Sequence, residues 1–149
     1  MSSRLIIKEI IPESYQTFMQ LAQLLANAGI NKLQHELIKI RASQINGCAF
    51  CLDIHTREAI KYGEDPRRLY VLSAWREAKE WFSKQDQVVL NLTEEITLIA
   101  DGGLSDETYN ESVTVFGEEM TAKLITAVIS INALNRLGVS QKLHPLSNP

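Results

Sequence analysis

Two thiols and an imidazole stand close together in the stretch Asn46-Gly-Cys48-Ala-Phe-Cys51-Leu-Asp-Ile-His55. On a helix, positions i, i+3, i+4 and i+7 share one face, and Cys48, Cys51, Leu52 and His55 occupy those positions. Both thiols and the imidazole therefore turn toward the same apolar side. His55 follows Cys51 by four residues, which is direct contact range on a helix. A neighbouring imidazole takes up a thiol proton, and the thiolate is the nucleophile. The unpaired N–H groups and positive dipole end at the helix start favour a thiolate at Cys48. The His55 spacing favours one at Cys51. Residues three apart on a helix have Cα atoms on the order of 5 Å apart, within reach of a disulfide. The pair is expected to shuttle between dithiol and disulfide.

Glu36 is the second informative residue. Leu33, Glu36, Leu37 and Ile40 repeat the same spacing, which sets a glutamate in the buried register of the preceding segment. Asn46-Gly47 is a turn dipeptide. If it folds the two segments into an antiparallel hairpin, Glu36 lies roughly 15 Å before the turn and His55 roughly 12 Å after it, at 1.5 Å per residue. The two are then nearly level, and the carboxylate can orient or charge His55, which in turn serves Cys51. That is the logic of nucleophile, base and orienter. Two other readings of these residues exist. Buried cysteines often serve as small hydrophobes, but two at this spacing, with His55 and Glu36 on matching stripes, argue for chemistry. Cys48, Cys51, His55 and Glu36 could also ligate a metal. Structural zinc sites usually bring a second Cys/His pair, and His35 and His144 do not supply one. No metal is expected.

The elements that must hold these groups read as about seven helices in an all-α chain. Pro12 opens the first, with Tyr15, Phe18, Met19, Ala22, Leu25 and Ala26 at helical spacing and Gly29 behind. Asn31 caps the second, which stops at Asn46-Gly47; the third runs from about Cys48 to Tyr62, before Gly63. The CxxC pair thus starts the third helix. Asp65-Pro66 opens a fourth through Leu69, Leu72 and Trp75 toward Phe82. Ser83 and Ser105 cap the fifth and sixth, the fifth carrying Val89, Leu92, Ile96 and Ile99 on one face. The last runs from about Glu118 to Leu137 and ends at Gly138; being apolar on most sides, it is expected to be central or to lie in a subunit interface. The tail from His144 to Pro149 reads as irregular. His35, pointing off the Glu36 face, is expected in solvent, as are Arg41, Gln44 and Asp53. Arg67-Arg68 and Glu118-Glu119 read as solvated helix ends, and Trp75 and Trp81 as packing.

Composition agrees with this class. The 149 residues are 45% hydrophobic and 22% charged, the balance of a globular domain. Gly and Pro together number 11, few for this length, which favours long helices over many turns. A formal charge of −3 without a basic cluster gives no footprint for nucleic acid. The first residues, broken by Lys8 and Glu9, are too short for a signal sequence, and no apolar run is long enough to span a bilayer. Two cysteines three apart are not a secreted disulfide framework. The chain reads as soluble and cytoplasmic. No G-x-G-x-x-G or Walker loop suggests a bound cofactor.

The phrase from Glu36 to His55, with Glu, eleven residues, Cys-x-x-Cys, three residues and His, resembles the core motif of the alkylhydroperoxidase AhpD-like family, in the carboxymuconolactone decarboxylase superfamily. The specific resemblance covers about residues 33–63. It implies a single AhpD-like domain over residues 1–149 that assembles as a homo-oligomer, a trimer or hexamer. It also implies a thiol-dependent peroxidase with peroxiredoxin activity that reduces organic hydroperoxides. By the same resemblance Cys51 attacks the peroxide, Cys48 donates a proton and then closes the disulfide, and Glu36 and His55 form the proton relay. A dithiol or protein thiol would then reduce the disulfide. The best-known peroxidases of that family carry a histidine just before the second cysteine, where this chain has Phe50. The cysteine pair argues against lactone decarboxylation. The alternative is a non-enzymatic helical assembly protein whose cysteines sense redox state.

Overall fold

Short capping side chains start most of the helices. In the computed structural model, which describes residues 4–145, the Asn31 carboxamide oxygen accepts from the Leu33 and Gln34 N–H groups and opens α3 (Lys32–Asn46). Ser83 and Asp86 form a reciprocal capping box at the head of α6 (Lys84–Thr97). Ser105 accepts from Thr108 at α7 (Asp106–Phe116), and Asp65 accepts from Arg67 at α5 (Pro66–Val71). The others are α1 (Ile7–Ile10), α2 (Pro12–Ala26), α4 (Ala49–Lys61) and α8 (Glu118–Gln141). No strand occurs among the described residues. Residues 146–149 of the tail that reads as irregular lie outside the described residues. Among the described residues no helix is long and apolar enough to cross a membrane.

The structure departs from the sequence reading at four places. A short helix, α1, precedes Pro12, so the CxxC pair heads α4. The fourth expected helix does not run on to Phe82: after Val71 the chain winds as 3-10 turns from Leu72 to Trp81, interrupted at Ala74 and Ala78. Those turns keep Leu72 and Trp75 in the core although the α-helical repeat is lost. Ile99 falls on a 3-10 turn after α6 and is exposed. Finally, α8 does not end at Gly138. It continues to Gln141 and closes with Lys142 in the left-handed region (φ 55°), whose following N–H, on Leu143, donates to the Gly138 carbonyl.

Helix α3 is enclosed from several sides. It packs on α4, α6 and α8. Ile38 and Ala42 join a core with Val89 and Leu92 of α6 and Leu124, Val128 and Ile131 of α8. Leu37 and Ile40, on another side of the same helix, join a second core with Ala59, Leu72, Trp75, Phe82 and Leu90. A helix packed on two cores has little solvent face left, so its polar residues are buried too: Gln34, His35, Glu36 and Ser43 are all inside. The apolar helix α8 packs on α2, α3, α6 and α7 and still exposes Ile129.

Buried polar groups in this setting need partners. Glu94 of α6 is the clearest case. Its carboxylate accepts from Arg41 Nε at 2.7 Å, from Trp75 Nε1 at 2.9 Å and from Arg76. Arg41 is therefore not a surface residue; it ties α3 to α6, with Gln44 accepting its other end. Asp53 is only half-buried and pairs with Arg57. Arg68, expected in solvent, instead bridges Glu64 and Asp86 and lies over the Phe82 ring. Arg67 stacks on the half-exposed Trp81, while Glu118 and Glu119 are exposed. Removing the Glu94 carboxylate would leave two guanidinium groups and an indole N–H without their acceptor. Glu94→Ala is expected to lose about 3 kcal/mol of unfolding free energy by urea denaturation; a loss within experimental error of zero would show that these donors find other acceptors.

Candidate active site

The site is built on the turn between α3 and α4. Gly47 adopts φ 66°, a left-handed conformation that reverses the chain in one residue. The turn is anchored to α8 by amides: Asn46 Nδ2 donates to Asn132 Oδ1 at 2.9 Å and to Asn135 Oδ1 at 3.0 Å, and Asn135 Nδ2 donates to Ser43 Oγ at 2.9 Å. Cys48 follows as the N-cap of α4, its N–H donating to the Ser43 carbonyl. Its sulfur accepts from the Cys51 N–H at 3.3 Å. Cys48 and Cys51 are joined as a disulfide with Cα atoms 5.3 Å apart, and both are buried.

One and two turns along α4 from the disulfide, the helix faces α3. His55 Nδ1 and Glu36 Oε2 are 2.9 Å apart. Glu36 Oε1 accepts from Lys39 Nζ at 2.7 Å, so both carboxylate oxygens are engaged. Burial alone pushes the Glu36 carboxyl up, but the His55 hydrogen bond and the Lys39 ammonium outweigh it and hold the group below the usual carboxylate range. Glu36 is thus a buried anion and can only accept. The proton in its contact with His55 must sit on Nδ1, which leaves Nε2 of the imidazole as the basic nitrogen.

Cys51 and His55 both open on a cavity of about 260 Å³. Its apolar wall comes from Tyr15, Met19 and Ala22 of α2, Phe50 and Ile54 of α4, and Ile131 and Leu134 of α8. Cys48 is not among its lining residues. Of the α2 residues at helical spacing, Tyr15, Met19 and Ala22 line this cavity, while Leu25 is buried in the core. The four sequence-selected residues therefore lie together, with Cys51 and His55 toward the cavity and Cys48 and Glu36 behind them. Among the described residues no group of three His, Cys, Asp or Glu side chains is arranged to hold a metal ion.

Two site residues were not legible in the sequence as such. His35, expected in solvent, is buried and lines the cavity. Burial, reinforced by the positive Lys39 beside it, pulls its imidazole down from 6.5 to about 4. Its single-face reading failed because α3 has neighbours on more than one side. Gly138, expected as a helix stop, lies inside α8 against the disulfide. A Cβ there would stand 3.1 Å from Cys48 Sγ and 3.7 Å from Cys51 Sγ. A side chain at this place would press on the Cys48 sulfur.

The chain belongs to the carboxymuconolactone decarboxylase family, whose family model matches residues 12–95. It is similar to the uncharacterized protein YdfG of Bacillus subtilis, at 39% identity over 140 residues, covering 94% of this chain and 95% of that one. It is also similar to alkyl hydroperoxide reductase AhpD of Maricaulis maris, at 45% identity over 40 residues. That match covers 27% of this chain and 23% of AhpD, so the chain aligns with about a quarter of that protein. A crystal structure of a protein of unknown function from Agrobacterium tumefaciens, described as a candidate antioxidant defence protein AhpD, superposes with a TM-score of 0.92. The identity there is 31%, over 98% of this chain and 100% of that one.

Two outcomes are expected from these contacts. Alanine in place of a mid-helix glycine normally adds about 0.5–1 kcal/mol of stability. At Gly138 the added methyl crowds the sulfurs, and two unbonded sulfurs need more room than a bonded pair. Gly138→Ala is therefore expected to shift the equilibrium with dithiothreitol toward the disulfide; an unchanged equilibrium would count against this contact. The second concerns acid. Below pH 6.5 the unfolded chain protonates His35, whereas the folded chain does not until about pH 4. Stability from this group is whole above 6.5 and falls as the pH drops toward 4, by about 2 kcal/mol between pH 7 and pH 5. His35→Asn should flatten that slope in urea denaturation series.

Proposed function

We propose that this protein is a thiol peroxidase that reduces organic hydroperoxides through Cys51. The observation that carries the reading is that Cys51, and not Cys48, shares the apolar cavity with His55, while Glu36 holds the far side of that imidazole. Family membership and the partial likeness to AhpD support it. In the reduced protein His55 Nε2 takes the Cys51 proton. The thiolate attacks the terminal oxygen of the hydroperoxide; an S–O bond forms, the O–O bond breaks, and the alkoxide takes the proton from His55. The products are Cys51 sulfenic acid and an alcohol. The Cys48 thiol then attacks the Cys51 sulfur and expels water, giving the disulfide of the present structure. A small or protein dithiol reduces it and completes the cycle.

The cavity bears on the substrate. An apolar cavity of roughly 150 Å³ takes a benzene ring, so about 260 Å³ has room for an arylalkyl or medium-length alkyl group. Hydrogen peroxide would leave that wall unused. Phe50 adds to the apolar side rather than to proton transfer. We place the protein in the cytoplasm as a homo-oligomer, a trimer or a hexamer. Exposed Ile129 and Val139 on α8 favour a second reading in which oxidation alters assembly without turnover. Light scattering of reduced and oxidised protein separates the two readings: a change in size without peroxide consumption would favour the sensor.

The peroxidase reading is tested by cumene hydroperoxide consumption with dithiothreitol as reductant. Cys51→Ser should abolish the protein-dependent rate, and an equal rate would sink the reading. Cys48→Ser should give one oxidation to the sulfenic acid and then stall. Glu36→Gln removes the anion that fixes the His55 tautomer and should slow oxidation about 10- to 100-fold, by analogy with removal of a partner that orients a histidine.

A further inference from the structure

The cavity holds a second imidazole that the cycle above does not use. His35 precedes Glu36 on α3 and lines the cavity together with Cys51, His55 and Lys39. Its side chain has no hydrogen-bond partner among the described residues. Neither of its ring nitrogens is sealed from open space, since Arg68 Nε is the one described side-chain atom both buried and unpartnered. The ring lines the cavity, and its nitrogens carry no partner among the described residues. The charged groups around it are Glu36 and Lys39 on its own helix and His55 on α4, while α2 contributes the Tyr15 hydroxyl to the same cavity. Lys39 is bound to Glu36, and His55 is bound to Glu36 through Nδ1. His35 is committed to nothing.

The reaction has a use for one more polar group at this place. As the O–O bond breaks, negative charge grows on the oxygen that departs with the alkyl group. That oxygen lies on the side away from Cys51, toward an apolar wall. A donor placed there in advance stabilises charge far more than it would in water. A neutral imidazole carries one N–H donor, and the position of His35 keeps it neutral at ordinary pH. Neutral imidazole is known to serve as such an electrophile.

We propose that His35 is a further catalytic residue, whose ring N–H donates a hydrogen bond to the alkoxide oxygen released when Cys51 attacks a hydroperoxide. The inference rests on the peroxidase reading. His35 begins and ends the step with the same proton. The proton that makes the alcohol comes from His55, which received it from Cys51. Cys51 loses two electrons to the peroxide, and no other oxidant or reductant enters.

The test is single-turnover oxidation of the reduced full-length protein by cumene hydroperoxide, comparing wild type with His35→Leu, His35→Gln and Cys51→Ser. Removing a donor of this kind typically costs about a hundredfold or more in rate. His35→Leu should show that loss, and His35→Gln, which keeps an N–H donor, should stay close to the wild-type rate. Reduction of the oxidised His35 variants by dithiothreitol should proceed as in wild type, because that step releases no alkoxide. A His35→Leu protein as fast as wild type, with Cys51→Ser inert, overturns the role of His35 and leaves the peroxidase reading standing. Equal slowing in both His35 variants also overturns it, since shape rather than the donor would then matter. If His35→Leu fails to fold, His35→Phe takes its place as the variant without a donor, its loss of rate in support and a wild-type rate against. A wild-type protein no faster than Cys51→Ser overturns both the role and the reading.

Discussion

A charged carboxylate inside a protein must be surrounded by donors, and Glu36 is that carboxylate here. Its two oxygens are divided between His55 of α4 and Lys39 of its own helix. The demand works in two directions. It sets the register of the α3–α4 hairpin, because only one alignment brings His55 level with Glu36. It also determines the state of the imidazole, because an anion on one side leaves the basic nitrogen on the other. Structural order and proton chemistry thus follow from one buried charge. Without an acceptor at position 36, the hairpin would keep its apolar contacts and lose the reason for its polar alignment.

The third partner of the site is α8, which contributes no acid, base or nucleophile. Asn132 and Asn135 hold the Asn46 side chain of the turn, and Gly138 lets the helix backbone reach the sulfurs. A buried amide network is worth keeping only if its members are satisfied. Here Thr97, Ser43 and Asn46 complete it. Before it reaches the disulfide, helix α8 supplies Ile131 and Leu134 to the cavity. The same helix therefore closes one side of the disulfide and forms one wall of the space before it, while α2 forms another.

The comparisons fit this division of labour. YdfG and the Agrobacterium structure match along nearly the whole chain, which is the fold as a framework. The AhpD match extends over a short span only, at higher identity. The cavity beside Cys51 and His55 depends on α2 and α8, and its shape is a property of the whole chain.

Local features were legible in the sequence because their physics is local. Asn31, Asp65-Pro66, Ser83 and Ser105 cap the helices they precede, since a cap concerns only the N–H groups of the next turn. The shared face of Cys51 and His55 follows from helical spacing, and the contact of His55 with Glu36 from equal rise on either side of a tight turn. What periodicity cannot state is how many neighbours a helix will have. Helix α3 has them on several sides, so His35 is buried, Arg41 meets Glu94, and a residue one place off the apolar stripe becomes part of the cavity. Gly138 was misread for the same reason: a glycine marks both a helix end and a close approach, and only the sulfurs opposite distinguish them. The sequence alone determined which residues could react and which segments would be helical, because bond geometry and backbone hydrogen bonding act over a few residues. The tertiary structure decided what each helix faces, because that depends on packing surfaces far apart in the chain.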